Sequence, residues 1–131
     1  MVQVETSQLT GECNSWRENL RQYRDEFSKD KIKLQDAVSS PLSKEQLQDV
    51  EHLHNQFHIQ LINIHDLKQA VKTHDKKVQY EVSENQGQIT DDTYTKHEHL
   101  YDEYHSLQTM LDELRTDFYQ YVKSIATANY N

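Results

Sequence analysis

The sequence predicts an all-α protein, an elongated antiparallel three-helix bundle running up, down and up with coiled-coil-like heptad packing. Three observations predict it. Apolar residues recur alternately four and three apart through three long stretches, so each stretch carries one seam that a helix can bury. The 131 residues include only two Gly and one Pro, too few for a sheet with several hairpins but enough for the two connections of a bundle. Mean hydropathy is low, at -1.01, yet the apolar residues collect on the seams instead of scattering as they do in a disordered chain.

The first seam reads Leu9, Cys13, Trp16, Leu20, Tyr23, Phe27, a polar Asp30, then Leu34 and Ala37. The second reads Leu47, Val50, a polar His54, Phe57, Leu61, Ile64, Leu67 or Lys68, Val71, Val78 and Val82. The third reads His97, Leu100, Tyr104, Leu107, Leu111, Leu114, Phe118, Tyr121, Ile125 and Ala128. One domain spanning residues 1–131 is expected, with helices over about 7–38, 44–84 and 91–128. At about 1.5 Å per residue, the second and third helices are rods of about 55 to 60 Å.

The connections are marked by their own chemistry. Ser40 and Pro41 end the first helix, because Pro cannot continue one and turns the residue before it away from helical geometry. Ser43 and Gln46 have the spacing of a capping box, with Leu42 and Leu47 at the positions of a hydrophobic staple. In the second connection, Asn85 to Gln88, Gly87 can adopt the left-handed geometry that closes a helix. Ile89, Thr90 and Tyr94 repeat the staple and cap, and Asp91 and Asp92 suit the positive end of the third helix.

Composition narrows the function. The formal net charge is -8, and by count the segment from residue 90 onward carries about -5 of it, so nucleic-acid binding is not expected, since that affinity rests on basic residues meeting phosphate. No apolar run approaches the roughly 20 residues of a membrane span, and no N-terminal secretion signal is visible. A cytoplasmic protein that neither crosses nor adheres to membranes is expected. The single Cys13 rules out an internal disulfide and reads as a small buried apolar residue on its seam.

Eight His are present, five of them in the second helix and three in the third. His54 and His58 share a face one helical turn apart, a spacing at which two imidazoles can hold a metal, and Glu51 with His54 gives the Glu-x-x-His pattern of di-iron carboxylate bundles, but a second such motif is missing. Antiparallel pairing about a turn near residue 86 places His74 and Asp75 opposite His97 and His99, with Glu5 or Glu12 of the first helix in reach. These four are the candidate ligands for zinc or another divalent metal. Pairing about a turn near residue 41 sets Asp30 against His54, the expected polar pair in the core, of the kind that fixes register.

Six of the eight Tyr fall in the last 38 residues. Tyr101 and Tyr119, beside Val122, project away from the seam on an acidic helix and form the candidate interaction surface. No Gly-rich phosphate loop, paired Cys or convincing nucleophile constellation is present, neither Ser28 nor Ser106 being placed to complete one. The expected role is therefore a non-enzymatic helical module for protein–protein interaction or scaffolding, working with a protein partner or as a homodimer. The alternative is a His-rich protein that binds or responds to a divalent metal. No cofactor is otherwise expected.

Overall fold

Three long helices in sequence build the molecule: α1 (Thr6–Val38), α2 (Lys44–Glu84) and α3 (Asp91–Tyr130). The structure is a computed structural model and describes the backbone of residues 5–38 and 42–130, with side chains for 5–36 and 42–125. The break expected at Ser40 and Pro41 lies outside the described residues, as do the side chains of the seam positions Ala37 and Ala128. Among the described residues no helix is long and apolar enough to cross a membrane.

The second helix begins as its sequence dictates. Ser43 Oγ accepts from the Gln46 backbone N–H at 3.1 Å, and the Gln46 side chain accepts from the Ser43 N–H at 2.9 Å, completing the capping box. Leu42 packs on the core, but Leu47 stays 37% exposed, so of the two staple residues Leu42 is the one that packs.

At the other end of α2 the left-handed turn starts one residue earlier than Gly87. Gln86 has φ of 56° and Gly87 follows at 86°, while the Gly87 N–H donates to Val82 O at 2.9 Å. That six-to-one bond with a left-handed residue before it is a Schellman closure. Gln86 thus occupies a conformation that costs a side-chain-bearing residue about 1 kcal/mol or more.

The start of α3 is capped from two sides. Thr90 Oγ1 accepts from the Thr93 N–H at 3.2 Å, as an N-cap should. The other half of a capping box would come from a Glu at Thr93's position, and here Glu81 of α2 supplies it instead. Its carboxylate accepts from the Thr90 N–H at 2.7 Å and from the Thr93 hydroxyl at 2.5 Å. Glu81 is buried, and although burial pushes its carboxyl up, the bonds from Thr90 and Thr93 outweigh this and hold it below the usual carboxylate range.

The core is two apolar clusters with a polar layer between them. The larger runs from Cys13, Trp16, Val71 and Leu100 to Leu34, Val50 and Tyr121; the smaller, at the end holding the α2–α3 turn, is Leu9, Val78 and Ile89. One Phe from each helix meets at the centre, Phe27 against Phe57 at 5.1 Å and Phe57 against Phe118 at 5.4 Å, both edge to face. Large side chains also bridge α1 and α3. Tyr23 Oη donates to Asp112 at 2.6 Å, Asn19 donates to Tyr104 Oη at 2.9 Å, and Arg115 donates to Glu26 at 2.8 Å.

The seams of α1 and α3 are buried as the spacing predicts, Asp30 included. The seam of α2 is corrected. Val50, Phe57, Ile64, Val71 and Val78 are common to both readings, and of Leu67 and Lys68 it is Leu67 that is buried, but the other alternate positions are Leu53, Gln60, His74 and Glu81, where the sequence suggested His54, Leu61 and Val82. Leu61 and Val82 instead pack on the flanks of the clusters. Because α2 lies between two partners, two adjacent frames both hold apolar residues, and burial of Leu53 selects the observed one.

Candidate metal centre

The polar layer takes one side chain from each helix. Cys13 of α1 lies between Leu9 and Trp16, His74 of α2 between Val71 and Val78, and His97 of α3 one turn before Leu100, so the heptad of each helix aims its member inward. All three are buried. Among the described residues the Cys13 Sγ and one ring nitrogen of each His lie within 4.8 Å of one another.

Neighbours hold the rings in place. His74 Nε2 and His97 Nδ1 are 2.9 Å apart and share a hydrogen bond, with ring centroids 5.1 Å apart. Trp16 lies over His97 at 4.9 Å between centroids and stacks on Tyr104 at 5.7 Å. The outer nitrogen of His97, Nε2, has no hydrogen-bond partner, and Glu12 Oε1 stands 3.6 Å from it. That carboxylate favours the proton on Nε2, which leaves Nδ1 with its lone pair toward His74 and Cys13.

The electrostatics keep the whole layer neutral. Burial first, then the charges of Asp75 and Glu12, push the Cys13 thiol up to about 12 against the opposing pull of Arg17. Burial, then the neighbouring His97, Lys96 and Lys77, bring His74 down to about 4. Burial likewise lowers His97, though Glu12, Asp75 and Glu98 resist. Once the thiol has lost its proton and the proton shared by the two rings has moved to the outer nitrogen of His74, a thiolate and two imidazoles are the donor types that bind borderline-soft metals.

The fit is close. Two nitrogens bound to zinc at about 2.0–2.1 Å in a tetrahedron stand about 3.3 Å apart, so the imidazoles need to open by only a few tenths of an ångström. Outside His97 a cleft of about 480 Å³ is lined by Glu5, Glu12, Glu98 and Asp102 together with Tyr94 and Tyr101. Its four carboxylates concentrate cations at the mouth of the layer.

The sequence-derived candidates are divided by the fold. His74 and His97 come together, and Asp75 is buried beside them. His99 is exposed on a shallow groove with Asp66 and Met110. Two residues along a helix amount to more than half a turn, so His97 and His99 cannot share a face. Cys13 was missed as a ligand because a Cys on a seam is ordinarily a small apolar residue. The signal that finds it is its level in the bundle, since the polar members of the other two seams fall at the same height.

Asp30 is buried on the seam of α1, whereas His54 is half-buried on α2. The charges that act on Asp30 are those of Glu26, Lys33 and Arg115, and burial raises its carboxyl above the usual range. His54 lines an outer groove with Leu34, Val50 and Glu51, and both Glu51 and His58 are exposed. Tyr101 is 46% exposed, Tyr119 59% and Val122 45%. Tyr101 lies edge-on to Trp16 at 6.2 Å and to His105 at 4.3 Å. Comparison of the chain with protein-family models, curated proteins and solved structures finds no match.

Proposed function

We propose that this protein is a non-enzymatic helical module that binds a transition-metal ion through Cys13, His74 and His97 and is tightened by it. The observation that carries the reading is that each helix contributes one ligand to one buried layer. An ion there ties α1, α2 and α3 together at the end of the rod that holds the α2–α3 turn, so occupancy is converted into rigidity. A ligand that binds only the folded state adds about 2.7 kcal/mol at one hundred times its Kd. The thiol has to be reduced to ligate, which fits the cytoplasm.

The test uses the full chain, purified without a His tag under reducing conditions. Stoichiometric zinc by elemental analysis, and a melting temperature that rises with added zinc, are expected; both are to be lost in Cys13→Ser and in His97→Gln. A melting temperature indifferent to metal in the parent chain defeats the reading.

The exposure of Tyr119 and Val122 on α3 supports a second role, in which that face meets a protein partner or a second copy of the chain. Sedimentation of the parent against a Tyr101→Glu, Tyr119→Glu variant over a wide concentration range tests self-association. A monomer at every concentration leaves only a foreign partner.

A further inference from the structure

The cleft between α1 and α3 outside His97 carries acidic charge that the rest of the molecule leaves unanswered. Among the described residues the arginines pair elsewhere, Arg21 with Glu18 and Asp25, Arg115 with Glu26 and Asp112, and Arg17 with Asp75. Among the same residues no Lys or Arg lies within ion-pair distance of Glu5, Glu12, Glu98 or Asp102, which line the cleft. The ring of His97 lines it too and is only 4% exposed. Its Nε2 has no hydrogen-bond partner, Glu12 Oε1 standing off at 3.6 Å. We propose that this cleft binds a linear polyamine, a small cation whose ammonium groups are joined by short methylene chains.

The spread of the charge selects an extended cation over a metal ion. Glu5 and Glu12 stand two turns apart on α1, about 10 Å, and Glu98 and Asp102 one turn apart on α3. They do not gather as the ligands of one ion do, since among the described residues the ligand atoms that come within 4.8 Å of one another are those of Cys13, His74 and His97. A polyamine carries its charges at intervals of about one helical turn, ~5 Å, so successive ammonium groups meet successive carboxylates in charge-assisted hydrogen bonds. Leu9 and the rings of Tyr94 and Tyr101 line the same space. They give the methylenes an apolar wall, and the two rings attract ammonium groups through their faces. At about 480 Å³ the cleft has the size of a small-molecule site.

An ammonium group against Glu12 also supplies the partner that His97 lacks. Glu12 is 29% exposed and can swing aside to admit it. The cation cancels the charge that favours a proton on Nε2, so Nε2 gives its proton up to solvent and accepts from the ammonium. The proton between the rings then belongs to His97 Nδ1, which donates to His74 Nε2 across the 2.9 Å contact, and His74 takes one from solvent on Nδ1. Both rings stay neutral throughout.

Calorimetric titration of spermidine into the metal-free full chain at physiological salt tests the proposal, whether or not the layer takes up a metal. One spermidine per chain is expected, and imidazole nitrogen NMR should show His97 Nε2 losing its proton as it binds. Glu98 and Asp102 are exposed, so Glu98→Gln with Asp102→Asn leaves the core untouched and should weaken binding by about tenfold. Tyr101→Leu should weaken it by about threefold. Glu45→Gln with Glu113→Gln removes the same charge from exposed positions outside the cleft and should change nothing. Equal loss in the two double variants, or displacement of spermidine by an equal concentration of Mg²⁺, would mean attraction to net charge alone and overturns the proposal. A lysine-bearing peptide that binds more tightly than spermidine and needs Glu98 and Asp102 overturns the small-molecule assignment.

Discussion

His74 Nε2 and His97 Nδ1, contributed by antiparallel helices and separated by 2.9 Å, share a single proton in a layer that excludes water. A second proton would set two imidazolium charges against each other in a low-dielectric interior, which is why both rings stay neutral there.

Acid should therefore unfold the protein earlier than its carboxylates alone require. His74 is held at about 4 in the folded chain against about 6.5 unfolded. Above 6.5 neither state binds the proton and the shift contributes nothing. As pH falls from 6.5 to about 4 the unfolded chain takes the proton and the folded chain does not, so stability drops by about 3 kcal/mol across that window. Urea unfolding at intervals between pH 7 and 4 measures the slope, and His74→Gln should flatten it; an equal slope in both proteins contradicts the assignment.

Glu81 acts as the missing half of the α3 cap, and Glu81→Gln should lower stability by about 2 kcal/mol, because an amide donor then faces the Thr90 N–H and Thr93 hydroxyl. Its folded carboxyl lies below the ordinary range. The stability it contributes is present above the unfolded carboxylate value and is lost as pH falls through the folded one. In the variant this lowest-pH limb should disappear, and chemical denaturation below pH 5 is the measurement.

The Phe27, Phe57 and Phe118 contact gives the sharpest test of the central core. Phe57 is fully buried between the other two, so Phe57→Ala should cost about 3–5 kcal/mol. A coupling of about 0.5–1.5 kcal/mol with Phe118→Leu should remain in a double-mutant cycle. Strict additivity would show that the edge-to-face geometry contributes nothing beyond burial.

One substitution should stabilise. Gln86 sits at φ of 56°, so Gln86→Gly relieves left-handed strain and should add a few tenths to about 1 kcal/mol, the gain being reduced by the greater freedom of Gly in the unfolded chain. A rise in the urea midpoint without a change in slope checks it. A fall would mean that the Gln86 side chain stabilises the turn.

Much of this molecule is written in its heptads. Period alone places Leu9 to Leu34 along one face of α1 and Leu100 to Tyr121 along one face of α3, and the Ser43 and Gln46 box sets the start of α2, because face and cap are properties of a single helix. The same period is silent on α2 wherever two neighbouring residues serve equally, as with Leu53 and His54 or Gln60 and Leu61, and there contact with helices on both sides decides. It is silent as well on side chains that act across helices. Sequence pairing brings His74 to His97, but Cys13 joins them, Glu81 caps α3 and His99 turns outward only once the axial offsets of all three helices are fixed. A seam specifies which side of a helix is buried. How far each helix slides along its neighbours is set by packing bulky residues such as Trp16, Phe57 and Phe118, and that sliding assembles the layer of Cys13, His74 and His97.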